Sequence, residues 1–351
     1  MFKFSFIKHF KYFFLGLFSF LVSTNLLANN LVGVHTIIGI DHYPIKQQWL
    51  NLIKDYDISG VVFVSANYSN PKHVKESIKK IKQLNLNKAF LFCIDQEGGQ
   101  VNRVKFNNFE LKSAKFYSQK DSHYVAKQYY KNAKQLAKIG INVNFSPVVD
   151  VNRNTENEVI GSRSFSANPL ITTKYAQIVI NQQNKFNILS VLKHFPGHGQ
   201  TTLDSHYELP VHSDLLSLET HDIFPFFKLI KNGAKSVMVS HVLYPSLDSR
   251  YPASLSKKIV TNILIKEMNF DGLIFSDDIN MGAIKKSYGL KDAWLFSVKA
   301  GVDQVIVISS YTAIKRVLTE LNKMLYRNKN LYDMLNTNSQ QILSFKQNHI
   351  N

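Results

Sequence analysis

The 351-residue chain contains one cysteine, Cys93, so no disulfide can form within it in any compartment. That thiol sits in the apolar run AFLFCID (89–95), where an inert buried side chain is expected. No G-x-x-x-x-G-K-[S/T] phosphate loop, no G-x-G-x-x-G fingerprint and no G-x-S-x-G elbow occurs. Nucleotide chemistry and serine-type acyl transfer therefore lose their usual handles. Acids are scarce, 25 against 42 lysines and arginines, which leaves a formal net charge of +17. The basic residues are scattered and match no nucleic-acid-binding motif, so no nucleic-acid partner is expected; attraction to an anionic polymer or envelope surface is the functional alternative to plain composition. No Pro/Gly/Ser-rich linker divides the chain after its first residues, so one domain over 29–351 is the economical reading.

Long apolar runs are also missing. The longest near the start, Tyr12 to Val22, is too short for the ~20 residues a spanning helix needs. It follows Lys3, Lys8 and Lys11 and precedes a polar stretch with Ala28 before Asn29, the layout of a secretory signal peptide over 1–28. Export to the periplasm or beyond is expected, without stable membrane insertion after cleavage; an uncleaved anchor is the alternative. No cysteine follows the segment, which argues against a lipidated terminus.

What the chain does have is 45% apolar and 12% aromatic residues, enough for a large core. Eight short apolar runs recur, at 35–41, 60–66, 88–95, 141–150, 188–195, 235–242, 272–278 and 304–310. Most are continuously apolar rather than alternating, as strands buried on both faces of a parallel sheet read. Helical patterns lie between them, at 71–84, 123–140, 168–186 and 257–270. Alternation of this kind predicts a single (β/α)8 TIM-type barrel, with a doubly wound open sheet as runner-up. The Asn-rich stretch 328–341 is expected to be a loop and the start of a last helix.

Polar residues fall where such a barrel builds its site. Asp95, Asp150, His194, His241 and Asp277 all stand at the C-terminal ends of the expected strands. The stretch KHFPGHGQTTLDSH (193–206) holds three histidines that could bind zinc. Pro196, Gly197 and Gly199 prevent a helix from presenting the first two on one face, so no metal is expected. Paired acid/base groups remain. Asp277 in FSDDINM would point into the barrel mouth as a nucleophile or electrostatic stabiliser. Asp204 and His206, two apart in DSH, would project to one side of an extended loop, and a carboxylate on one imidazole nitrogen frees the other to move a proton near neutral pH. One carboxylate nucleophile with one proton shuttle is what a retaining glycosidase requires.

The motifs KHFPGHG with DSH, DQEGGQVNR, INVNFSPVVDVN, GSRSF, SHVLYPSLD, PASLS and FSDDINM, in one order over roughly 33–345, resemble the family 3 glycoside hydrolases of the β-N-acetylhexosaminidase type. The resemblance implies a cofactor-independent exo-enzyme that releases terminal N-acetylglucosamine from peptidoglycan-derived glycans through a covalent glycosyl-aspartate. It implies Asp277 as nucleophile, with Asp278 the competing choice, and His206, oriented by Asp204, as general acid/base on a mobile loop. It further implies that Asp95, Arg103, Arg163, Lys193 and His194 hold the terminal sugar, with His198 and His241 as supporting groups. Family members commonly carry an arginine where this chain has Gln100 and TRN where it has SANY (65–68), which opens the aglycone preference. A phosphorylase of the same fold, a non-catalytic murein-binding protein and a β-glucosidase are the rival readings. The expected partner is a carbohydrate substrate, and the expected state a monomer.

Overall fold

Strands covered on both faces need apolar residues at every position, which is what the short runs supply. In the computed structural model, which describes residues 31–350 except 87, 202 and 206, each run contributes to one parallel sheet. Its strands are β1 (Thr36–Ile40), β2 (Gly60–Phe63), β3 (Leu91–Ile94), β6 (Val143–Asn144), β7 (Leu189–Ser190), β8 (Leu192–Phe195), β9 (Ser236–Val239), β10 (Leu273–Asp278) and β11 (Gln304–Val307). A separate antiparallel hairpin, β4 (Gln96–Gly98) with β5 (Val101–Asn102), follows β3. The sheet order is β7-β6-β3-β2-β1-β11-β10-β9-β8. β7 and β8 stand at its two ends although only Val191 separates them. Val148 bridges Lys193, and the Val149 N–H donates to the Lys193 carbonyl at 2.8 Å. The expected strand 188–195 is thus one stave broken by a bulge, and the sheet is a nearly closed (β/α)8 barrel.

Side chains alternate across the staves. Ile37, Val62, Leu91, Cys93, Val143, Phe145, Val191, Met238, Leu273, Phe275 and Ile306 form a small inner cluster. Their neighbours Ile38, Val61, Phe92, Ile94, Leu192, Val237, Ile274 and Val305 belong to the larger cluster under the helices.

Those helices are α1 (Gln47–Asp55), α2 (Pro71–Lys82), α3 (Ser122–Ile139), α4 (Pro169–Asn184), α5 (Ile223–Lys231), α6 (Lys258–Glu267, wound with π-type hydrogen bonds), α7 (Leu290–Ala300), α8 (Tyr311–Leu325) and α9 (Lys329–His349). Asp121 caps α3 through the Tyr124 N–H, and Gly140 closes it at φ 93, a conformation that favours glycine. The stretch 328–341, expected to be a loop and the start of a last helix, does open the last helix, and it is helical from Lys329 with no loop before it in this stretch. Asn328 is its N-cap, accepting the Leu331 N–H, and Leu331, Leu335, Ser339, Ile342 and Lys346 form its buried stripe. Ile342 and Ile350 join the inner cluster, so α9 packs against the barrel interior. Among the described residues no helix is long and apolar enough to cross a membrane. The expected signal peptide at 1–28 lies outside the described residues.

Candidate active site

Alternation along the staves decides which polar residues enter the barrel mouth. Leu91 and Cys93 face inward, so Asp95 follows two residues on; Val191 leads in the same way to Lys193, and Leu273 and Phe275 lead to Asp277. The Lys193 ammonium lies 2.8 Å from Asp95 Oδ1 and 2.6 Å from Glu97 Oε1. Glu97 comes from the hairpin after β3 and takes Arg163 in a fork, Nε to Oε2 at 2.8 Å and Nη2 to Oε1 at 2.9 Å. Arg163 Nη2 also faces His194 Nε2 at 3.4 Å. His194 Nδ1 donates to Asp150 Oδ2 at 2.6 Å, and Asp150 Oδ1 accepts the backbone N–H of His194 and of His198 at 3.1 and 2.7 Å. This chain of partners leaves His194 Nε2 as the acceptor edge.

Asp95, Arg163, Lys193 and His194 are therefore brought into one network, and Glu97 and Asp150 are what join them. Burial pushes the Glu97 carboxyl up, but Arg163 and Lys193 outweigh it and hold the group down to about 2. Burial lowers the Lys193 ammonium, and Asp95 and Glu97 more than reverse that, keeping it above its ordinary value. Asp150 is likewise pushed up by burial and pulled below its ordinary range by His194 and the His198 N–H. Glu97 was not singled out by the sequence. Its only signal was its place in DQEGG, between the strand-end Asp95 and the two glycines of the hairpin turn. Those glycines are required: both have positive φ, and a Cβ on Gly98 would meet the Lys112 carbonyl at 2.3 Å.

Arg103 stands apart. It is exposed just beyond β5 and makes no ion pair among the described residues.

The two adjacent aspartates of β10 have different surroundings. Asp278 Oδ1 accepts the N–H groups of Asn280 and Ile308 at 3.1 and 2.9 Å, which turns it toward the neighbouring backbone. Asp277 is the inward residue, its Oδ1 accepting the Asp278 N–H at 2.8 Å. Burial pushes the Asp277 carboxyl up, yet His241, His194, the Asp278 N–H and Lys193 together hold it below its ordinary value. Asp277 is thus ionised at neutral pH. His241 is clamped between the Ser254 hydroxyl at 2.7 Å and the Asp278 carbonyl at 2.9 Å, and burial lowers its basicity.

After β8 the chain turns through PGHG. A Cβ on Gly197, at φ 140, would come within 2.5 Å of Asp222 Cβ, and one on Gly199 within 2.0 Å of the Val151 carbonyl. Only glycine fits either position. His198 between them is buried, bonds Thr201 Oγ1 at 2.7 Å and is held neutral down to about 4, burial being the main cause. The Asp204 carbonyl accepts the N–H groups of Tyr207 and Glu208, both at 3.0 Å. His206, the expected proton shuttle, lies outside the described residues. The segment returns to the body where Leu243 N–H donates to the Pro210 carbonyl and His212 N–H to the Leu243 carbonyl, each at 2.9 Å. Among the described residues no group of three His, Cys, Asp or Glu side chains is placed to hold a metal ion.

Comparison with known proteins gives this geometry a context. Residues 28–343 match the family described as "Glycosyl hydrolase family 3 N terminal domain". The chain is 33% identical over 323 residues to beta-hexosaminidase A of Pseudoalteromonas piscicida, a match covering 84% of the chain and 54% of that protein. It is 34% identical over 273 residues to a beta-hexosaminidase of Hydrogenovibrio crunogenus, covering 75% of each. The chain thus matches about half the length of the first relative and three quarters of the second. A glycoside hydrolase family 3 beta-N-acetylglucosaminidase structure from Paenibacillus sp. superposes with a TM-score of 0.83 at 26% identity, covering 90% of this chain and 62% of that one.

Proposed function

The chain belongs to glycosyl hydrolase family 3, and from that premise we propose that it is a retaining exo-β-N-acetylhexosaminidase acting on terminal N-acetylglucosamine of peptidoglycan-derived or related glycans. The observation that carries the reading is Asp277, inward at the end of β10, its Oδ1 accepting the Asp278 N–H and its carboxyl kept below its ordinary value. Names of the two curated relatives and of the Paenibacillus structure support the sugar class.

In this reading Asp277 attacks the anomeric carbon while His206, oriented by Asp204, protonates the departing oxygen. The glycosyl-aspartate ester then yields to water, from which His206 takes back a proton. Asp95, Lys193, His194 and Arg163 hold the terminal sugar's hydroxyls, and Arg103 supplies a further donor at the rim. The network around Glu97 keeps these groups in place before the substrate arrives, so little ordering is left for the binding step. The protein is exported by the segment 1–28 and acts as a monomer.

An aryl β-N-acetylglucosaminide assayed with and without inorganic phosphate tests the proposal. Release of free sugar with retained anomeric configuration, unaffected by chelator, is the expected result. No release sinks the reading, and a phosphate-dependent sugar 1-phosphate replaces it with a phosphorylase.

A further inference from the structure

We infer that a basic groove outside the barrel, between α2 and α3, is a docking site for an anionic polysaccharide. The groove, about 1000 Å³, is bounded by the start of α2, the second half of α3 and the turn 105–109. Lys72, Lys75, Lys105, Lys131 and Lys138 line it, and no aspartate or glutamate does. Lys72 lies 3.8 Å from Glu76, which also accepts the Tyr43 hydroxyl. The other four make no ion pair among the described residues. Positive charges gathered in a concave surface raise the local potential above that of a flat face and draw anions in.

The groove is also preformed. The Lys105 N–H donates to the Ser69 carbonyl at 2.8 Å, tying the turn to the start of α2. Within the turn Phe109 N–H donates to the Phe106 carbonyl at 3.3 Å, and Asn108 adopts φ 58, which asparagine tolerates. Phe106 and Phe109 pack against the main core, so the wall is fixed rather than shaped by a ligand.

The lining selects the ligand class. All five cations are lysines, point charges on flexible stems that suit acidic groups of variable spacing, where arginine would demand a fixed fork. The amides of Asn70, Asn107, Asn108 and Gln135 offer donors and acceptors for hydroxyls between the charges. A single-stranded nucleic acid needs fully open aromatic faces for stacking; Phe106 and Phe109 line the groove but are half-buried against the core, which leaves little face to stack on, and the DNA probe below tests this. A bilayer surface does not enter a concavity. A polymer of sugars bearing carboxylates satisfies the charge, the amides and the shape together. The inference stands apart from the hydrolase reading, since the groove contains none of the residues assigned there.

Binding of an oligogalacturonate ladder to the full chain at low ionic strength tests it, with neutral chito-oligosaccharides, single-stranded DNA and phosphatidylglycerol vesicles as comparison probes. The wild type should bind the oligogalacturonate, and Lys75→Gln/Lys131→Gln/Lys138→Gln should bind it about tenfold more weakly. The triple variant Lys228→Gln/Lys231→Gln/Lys323→Gln lowers the net charge equally on other surfaces and should retain binding. No binding by the wild type, or equal loss in both triple variants, overturns the groove. DNA or vesicles bound as tightly and with the same dependence on the groove lysines overturn the polysaccharide. Aryl-glycoside turnover, measured in parallel, should be the same in all three proteins; binding without any turnover upholds the groove while overturning the hydrolase reading.

Discussion

The backbone N–H of Ala283 donates to the carbonyl of Ser205 at 3.0 Å. Ser205 lies between Asp204 and His206, and Ala283 lies in the short helix Gly282–Lys285 that follows Asp277 along the chain. One hydrogen bond therefore joins the segment bearing the proposed proton shuttle to the segment bearing the proposed nucleophile. Ser205 is buried at this contact, so the bond is shielded from water. It is one direct contact between the two halves of the site.

Ala283→Pro removes that donor at the second helical position, where proline's φ is acceptable and only the preceding Gly282 is constrained. A hydrogen bond of this kind contributes about 0.5–1.5 kcal/mol, so turnover should fall roughly two- to tenfold, and because Ala283 is buried the proline ring should also lower stability by about 1–3 kcal/mol. The loss should be larger for a glycoside with a poor leaving group, which needs the proton, than for a nitrophenyl one. Equal kcat values for variant and wild type on both substrates would show that the contact does not position the shuttle.

Glu97→Gln tests the network on the other side of the mouth. The substitution keeps the shape but leaves Arg163 and Lys193 buried without their shared anion. Breaking a buried pair on one side costs about 3–5 kcal/mol. Urea unfolding at neutral pH should show a loss of that size, with KM for the aryl glycoside raised as the sugar-holding groups lose their order. A variant as stable as the wild type would mean the two cations find other partners.

The barrel was legible because its staves are buried on both faces and so read as continuous apolar runs from Thr36 to Val307. The hairpin after β3 was not, because its residues are polar and its partner is local: the Gln96 side chain donates to the Val104 carbonyl and accepts the Val104 N–H, both at 2.9 Å. The early start of helix α9 was hidden by its asparagines, and its buried stripe by Ser339 and Lys346, the latter bonding the Ser59 carbonyl at 3.1 Å. The place of Asp277 at the barrel mouth could be read from its strand end, whereas its preference over Asp278 was implied only by the resemblance. Glu97 could not be read this way, since nothing near it announces Arg163, which only the fold brings within 2.8 Å. The lysines looked scattered for the same reason; those of the groove come from α2, α3 and the turn 105–109, which are neighbours only in the folded chain.

The two aspartates of FSDD separate in a direct comparison. Asp277→Asn removes the inward carboxylate and should lower kcat roughly 10³-fold or more while the fold persists. Asp278→Asn keeps an oxygen able to accept the Asn280 and Ile308 N–H groups and should retain most turnover. Trapping with a fluorinated glycosyl donor, followed by peptide mass analysis, should place the adduct on Asp277. An adduct on Asp278, or equal losses in both variants, would reverse the assignment.

Buried groups couple stability to pH in two separate windows. His35 and His198 are buried as neutral imidazoles, burial being the main cause that lowers each from 6.5 to about 4. The unfolded chain takes up these protons as pH falls below 6.5, and the folded chain refuses them until about 4. The stability they allow is thus intact above 6.5 and is withdrawn on the way down to 4, by at most about 3 kcal/mol each. Glu97 acts lower: its carboxyl is held at about 2 against an ordinary 4.5, so its contribution is present above 4.5 and is lost as pH falls toward 2. Asp303 opposes the histidines over the same range: burial pushes its carboxyl up to about 7 from 3.8, so the folded chain holds a proton that the unfolded chain has lost, and on this account stability rises as pH falls from 7 toward 3.8. The wild-type curve of urea midpoint from pH 7 to pH 3 is therefore the balance of these opposing groups, and each is read from a difference: relative to wild type, His198→Gln should gain stability as pH falls through the histidine window, and Glu97→Gln should narrow its deficit below 4.5. A single slope that neither substitution changes would show that the three groups do not keep these charge states in the folded chain.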